Sequence, residues 1–134
     1  MTSQKVKKIL TTNFSATPYY PTIADCIRWT EVLNHIMFHG SVPKWRKITV
    51  RRIRGNWGWC IGSTSPKRKK KSCELIINEK FPSFAAFYSV LAHELVHSAE
   101  YHQTGTIDHG DFFMSHQEML ANFGIKLKES YVSR

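Results

Sequence analysis

Hydrophobic residues fall into successive spacings along this 134-residue chain. Between Thr22 and Phe38, Ile23, Ile27, Leu33, Ile36 and Met37 recur at helical intervals, with Thr22 placed to cap the helix and Gly40 to stop it. From Lys44 to Asn78 the pattern shortens to β-rich runs at 48–53, 57–61 and 73–77. Gly55-Asn56 and the polar stretch 63–71 read as the turns between them. Pro82-Ser83 then opens a long apolar helix ending near Tyr101, and a last helix is expected from about Asp111 to Lys126, with Gly124 its weak point. Residues 1–21 lack periodicity, and Pro18-Tyr19-Tyr20-Pro21 favours extended backbone. The expected fold is α+β: a small antiparallel three-stranded sheet packed with about three helices. Residues 1–21 form an extended lead-in and 22–134 a single domain.

The long helix carries the chemistry. His93-Glu94-Leu95-Val96-His97 places two imidazoles at i and i+4, on one face, where both reach a single ion. Glu94 lies about 100° around the helix, where it can hold and deprotonate a water rather than ligate. This is the arrangement of a zincin-type active helix, in which zinc acidifies water and a carboxylate takes its proton. With seven His and seven Glu, shuffled chains would show the pattern in about 2% of cases, so context matters. Leu91, Ala92, Leu95, Val96 and Ala99 surround the motif, and titratable groups on so apolar a helix need partners. A surface helix with two stray histidines would not be built this way.

A catalytic zinc takes three protein ligands, so one more donor is expected from outside this turn. Glu100 shares the face of His93 but lies nearly two turns further on, and His102 points to roughly the opposite side. His109 follows the turn-rich break 103–108, which lets the chain double back. His116 is the alternative, although its spacing from Phe113, Leu120 and Phe123 suits packing better. His35 and His39 have no comparable spacing.

The two histidine elements, His93-Glu94-x-x-His97 and His109-Gly110-Asp111-Phe112-Phe113, resemble the SprT-like metalloprotease family, which includes the Spartan-type DNA–protein crosslink proteases. Gly58-Trp59-Cys60 and the apolar run from Cys73 to Asn78 are similar to that family's Gly-x-Cys turn and following strand. The resemblance spans about 23–127. It implies one zinc ion on His93, His97 and His109, with Glu94 as catalytic base. Family members often continue into a zinc ribbon or regulatory tail, for which this chain shows no paired cysteines, so recruitment functions are not carried over.

Composition adds a partner. The formal net charge is +9, and residues 41–74 hold eleven cations against the single carboxylate of Glu74. Arg51, Arg52, Arg54, Lys67, Arg68, Lys69, Lys70 and Lys71, interleaved with Trp57 and Trp59, suit a nucleic acid such as single-stranded DNA. Cations neutralise phosphates and indoles stack on bases. The competing reading is that the tryptophans pack the sheet and the lysines form a solvated loop. Cys26 falls on an apolar helix face. Cys60 and Cys73 flank a turn as reduced thiols facing each other across a hairpin, and three irregularly spaced cysteines do not make a disulfide framework. With no apolar run near ~20 residues, the expected setting is cytoplasmic, or nuclear or nucleoid-associated, with no membrane partner.

Three functions compete. The first is a zinc endopeptidase acting on proteins at or near DNA, with DNA as tether or activator. The second is a nucleic-acid-binding module with a structural or vestigial zinc site. The third is a peptidase whose substrate is unrelated to DNA. Glu94 favours an enzyme, since a structural site needs no carboxylate beside its ligands and closes with a fourth protein donor.

Overall fold

The computed structural model describes residues 17–107. Two helices and three strands succeed one another as α1 (Ile23–Phe38), β1 (Lys47–Arg51), β2 (Gly58–Thr64), β3 (Lys71–Asn78) and α2 (Phe84–Thr104). This is an α+β fold, as the hydrophobic spacing predicts. The third expected helix, at about 111–126, lies outside the described residues.

Helix α1 begins with a reciprocal cap: Thr22 Oγ1 accepts from the Asp25 N–H, and the Asp25 carboxylate accepts from the Thr22 N–H. It ends through His39 in the left-handed region and Gly40. Its buried stripe is Cys26, Trp29, Thr30, Leu33 and Met37. Ile23 and Ile27, expected on the buried side, are instead about half exposed. Trp29 displaces them: its indole meets Phe84 and Tyr88 edge-on at 5.2 and 5.6 Å, which rotates the stripe toward the aromatic side chains of α2.

The sheet corrects the sequence reading more substantially. Its order is β1-β3-β2, and it is mixed rather than antiparallel: β1 runs parallel to β3, and β2 antiparallel to it. The most apolar strand takes the centre, with Cys73, Leu75, Ile76 and Ile77 all buried. Gly55-Asn56 therefore does not close a β1–β2 hairpin. The segment 52–57 crosses the end of β3 instead. Asn78, at that end, fastens it by donating from Nδ2 to the Ile53 and Asn56 carbonyls at 3.1 and 3.2 Å. Strand β1 stops at Arg51, short of Ile53, whose side chain is buried in the crossing segment. The true hairpin joins β2 to β3 around 65–70, with Ser65 N–H to Lys70 O at 2.8 Å. The lead-in is not loose at its end either: Tyr19 and Phe81 exchange backbone hydrogen bonds at 2.9 and 2.8 Å.

Helix α2 is capped by Ser83, whose Oγ accepts from the Ala86 N–H; it runs to Thr104, three residues further than expected, and closes at Gly105, φ +80°. Residues 90–100 are all buried, so the middle of α2 is enclosed on every side. One of those sides is β2, where the core-facing positions are Gly58, Cys60, Gly62 and Thr64. A Cβ on Gly62 would lie 2.5 Å from the Tyr101 ring, and one on Gly58 would lie 3.1 Å from Val90 Cγ1. The α2 side chains thus lie directly against the strand backbone, and the Tyr101 hydroxyl bonds Thr64 Oγ1 at 2.6 Å. Gly62→Val is expected to push Tyr101 aside and cost about 1–3 kcal/mol, the usual range for overpacking. Urea denaturation would measure this, and an unchanged midpoint and slope would refute the close contact.

Candidate metal centre

The centre of α2 brings together three titratable side chains. His93, Glu94 and His97 are each only 5% exposed. Their potential ligand atoms all lie within 4.8 Å of one another, a group that can hold a metal ion. The helical i, i+4 spacing does what the sequence requires: the two Nε2 atoms converge at 3.0 Å, with the ring planes 82° apart. Two nitrogens each 2.0–2.1 Å from a tetrahedral zinc would stand about 3.3 Å apart, so the pair needs only slight opening to accept one. Among the described residues no other group of three His, Cys, Asp or Glu side chains is so arranged.

Glu94 is held from the side of the sheet. The Cys60 backbone N–H of β2 bonds its carboxylate, while burial pushes its pKa up to about 8. Burial is the larger influence, so the carboxyl is neutral near pH 7 unless a cation stands beside it. A metal ion on the two imidazoles is such a cation, and it would restore the carboxylate that a base requires.

Glu100 has a part that sequence spacing did not assign. It is 3% exposed, and its Oε1 lies 3.7 Å from Nδ1 of His97, the nitrogen turned away from the paired Nε2. At that distance the contact is electrostatic rather than a hydrogen bond, and a negative charge behind a ligating histidine raises its basicity. The i+3 offset from His97 was the available signal. His109, expected as the third ligand, and its alternative His116 lie outside the described residues.

Cys60 and Cys73 do face each other, through a thiol–thiol hydrogen bond that together with burial raises the Cys60 pKa. They are diagonal neighbours, since Cys60 pairs with Leu75 and Cys73 with Gly62. Diagonal positions stand about 7–8 Å apart at Cα, beyond ordinary disulfide reach. Both remain free thiols.

The basic residues do not form one patch. Lys67, Arg68, Lys69 and Lys70 are exposed at the β2–β3 turn, while Lys71 is half-buried and donates to the His102 carbonyl at 3.4 Å. Arg51, Arg52 and Arg54 lie at the opposite end of the sheet, about 20 Å away along a seven-residue strand. Trp57 is stacked on Phe81 (5.1 Å, 27°), and the Arg51 guanidinium sits 5.6 Å from the Trp59 ring centre on the outer face. Trp45 is structural, its indole N–H donating to Thr30 Oγ1 at 3.1 Å. No described helix is long and apolar enough to cross a membrane.

His93→Ala and His97→Ala should each abolish stoichiometric metal binding. Glu100→Gln should retain it with affinity lowered about 10- to 100-fold, as for other partners behind a ligand. Elemental analysis and chelator competition measure both, and one zinc per chain in His97→Ala would exclude this centre. The same analysis on His109→Ala and His116→Ala identifies the third ligand. No protein-family model, curated protein or solved structure matches this chain.

Proposed function

We propose that this protein is a zinc-dependent endopeptidase of the SprT-like type, acting on proteins held at or near nucleic acid. The observation that carries the reading is the buried convergence of the His93 and His97 Nε2 atoms beside a carboxylate, Glu94, fixed by the Cys60 N–H. His93 and His97 would hold the ion, with His109 the expected third ligand. A zinc ion there supplies a Lewis acid that polarises a peptide carbonyl and acidifies water.

The remaining steps belong to the chain. Glu94 takes the proton of the attacking water and returns it to the leaving amine, so that one peptide bond and one water become a carboxylate and an amine. The Cys60 N–H keeps the carboxylate directed during both transfers, and Glu100 places a carboxylate 3.7 Å behind His97. Tyr101, a candidate for stabilising the oxyanion, is engaged with Thr64 Oγ1. Tyr88 lies in the core against Trp29.

Two features support enzyme over structural zinc. A structural site closes with four protein donors and has no use for a buried carboxylate beside them. The α2–β2 contact, with glycines at 58 and 62, also brings a strand backbone within hydrogen-bonding reach of Glu94, a costly arrangement unless that carboxylate has work to do. The tether rests on the exposed cations at both ends of the sheet, which suit phosphate.

Glu94→Gln is expected to keep the fold and one zinc per chain while lowering cleavage of casein by about 100-fold or more, the range for loss of a general base. Cleavage at the native rate by this variant would rule the mechanism out. Zinc binding with no cleavage by the wild-type protein, with or without single-stranded DNA, would leave the binding-module reading in its place.

A further inference from the structure

At the end of the sheet where 52–57 crosses β3, the chain lines an open cleft of about 710 Å³. One wall is the crossing segment with Arg52, Arg54 and Trp57, and the other is the β3–α2 turn with Lys80, Phe81 and Pro82. It lies apart from the metal centre, since the nine helical steps from Phe84 to His93 alone span about 14 Å.

The walls are built rather than incidental. Asn78, 6% exposed, ties the crossing segment down through the Ile53 and Asn56 carbonyls, and its own N–H donates to the Trp57 carbonyl at 2.9 Å. The Glu79 N–H donates to the Arg51 carbonyl at 3.1 Å, and Arg51 in turn bonds the Arg52 carbonyl at 3.2 Å. Gly55 takes φ +83°, a turn conformation that L side chains rarely adopt. With its amide in the bonding orientation, Asn56 accepts from the Trp59 indole at 2.9 Å. The backbone that carries Arg52, Arg54 and Trp57 is therefore fixed before any ligand arrives.

The lining combines two chemistries. Arg52, Arg54 and Lys80 are exposed, and among the described residues none makes an ion pair, whereas Arg46 is matched by Glu74 at 3.3 Å. Glu79 is the one carboxylate among the lining residues. Between the cations stands Trp57, half-buried and backed by the fully buried Phe81, so a flat ring placed on the indole would continue an existing stack. At the rim, the Lys80 ammonium lies 5.9 Å from the Tyr20 ring centre, and Tyr20 is 62% exposed.

We infer that this cleft is a nucleotide-binding site, in which Trp57 stacks against a base and Arg52, Arg54 and Lys80 hold the phosphate. The ligand is a nucleotide unit, either free or within a single strand. The inference rests on the nucleic-acid part of the proposed function and not on its peptidase part. It assigns recognition to this end of the sheet and leaves the Lys67–Lys70 turn a solvated, non-selective cationic contact.

The test is titration of a fluorescent twelve-residue oligothymidylate by anisotropy at several salt concentrations. Competitors are thymidine monophosphate, a base-free deoxyribose phosphate strand, inorganic phosphate and polyglutamate. Arg52→Gln with Arg54→Gln should weaken binding about tenfold and reduce the salt slope by about 1.4, two single-strand phosphate contacts. Trp57→Leu should weaken it about tenfold through lost stacking, and Trp57→Phe should restore most of that loss. Circular dichroism checks that each variant is folded, and the exposed arginines keep the test decisive should Trp57→Leu unfold. The base-free strand should compete poorly. Competition by the monophosphate equal to that of the strand identifies a free nucleotide as the ligand, and much weaker competition identifies the strand.

Native affinity in the arginine variant, or competition by the base-free strand equal to that of oligothymidylate, overturns the assignment while leaving the tether intact. Polyglutamate binding as tightly as the oligonucleotide replaces it with an acidic peptide site. Wild-type protein that binds neither oligonucleotide nor monophosphate overturns both the site and the tether, and casein cleavage measured alongside would still judge the peptidase separately.

Discussion

The arrangement of this protein depends on the direct contact of α2 with β2. Helices usually pack on sheets across a layer of side chains, which keeps the backbones well apart. Here Gly58 and Gly62 add no side chains of their own to that layer, and the Tyr101 ring, Val90 and Ile77 fill the space where Cβ atoms would stand. The Cys60 N–H consequently reaches the Glu94 carboxylate. Without that bond, Glu94 would be a carboxyl enclosed in the centre of a domain with its desolvation uncompensated. With it, the group is oriented, although burial still holds its proton affinity high.

Burial of titratable groups recurs throughout α2. His93, Glu94, His97 and Glu100 occupy two turns of a helix that is also lined by Leu91, Leu95 and Val96, all at most 1% exposed. Each of those aliphatic side chains contributes about 1.5–3 kcal/mol by leaving water, which helps to offset enclosing four polar groups beside them. The cluster is consistent with a cation at its centre. A single positive charge would favour the carboxylate of Glu94, separate the two imidazoles from their mutual hydrogen bond, and give the Glu100–His97 contact an orienting role.

The mixed sheet explains how charge is distributed. Because β3 inserts between β1 and β2, the segment joining the outer strands must pass over its end, and Asn78 is the residue that receives it. That crossing collects arginines and a tryptophan around a cleft, while the lysine-rich turn is carried to the far end of β2. A run of cations that is continuous in sequence thus becomes two separate features with different neighbours: one ordered and aromatic, the other an exposed turn.

The sequence by itself determined the elements and the chemistry within a single element. Helical and strand spacing, the Thr22 and Ser83 caps and the Gly40 stop are local signals, and the Nε2 pairing of His93 with His97 follows from 3.6 residues per turn alone. What lay between elements was not legible. Whether β1 pairs with β2 or β3 depends on which strand buries most surface. Gly55-Asn56 carries the same turn signal in a hairpin as in a crossing. Trp29 outranked Ile23 and Ile27 on α1 because the aromatic face of α2 was waiting for it, and no periodicity within α1 records that. The same reason separates Glu94 from its support. The helix places the carboxylate beside the histidines, but only tertiary packing supplies the Cys60 amide, because a backbone donor leaves no mark in the residue that carries it.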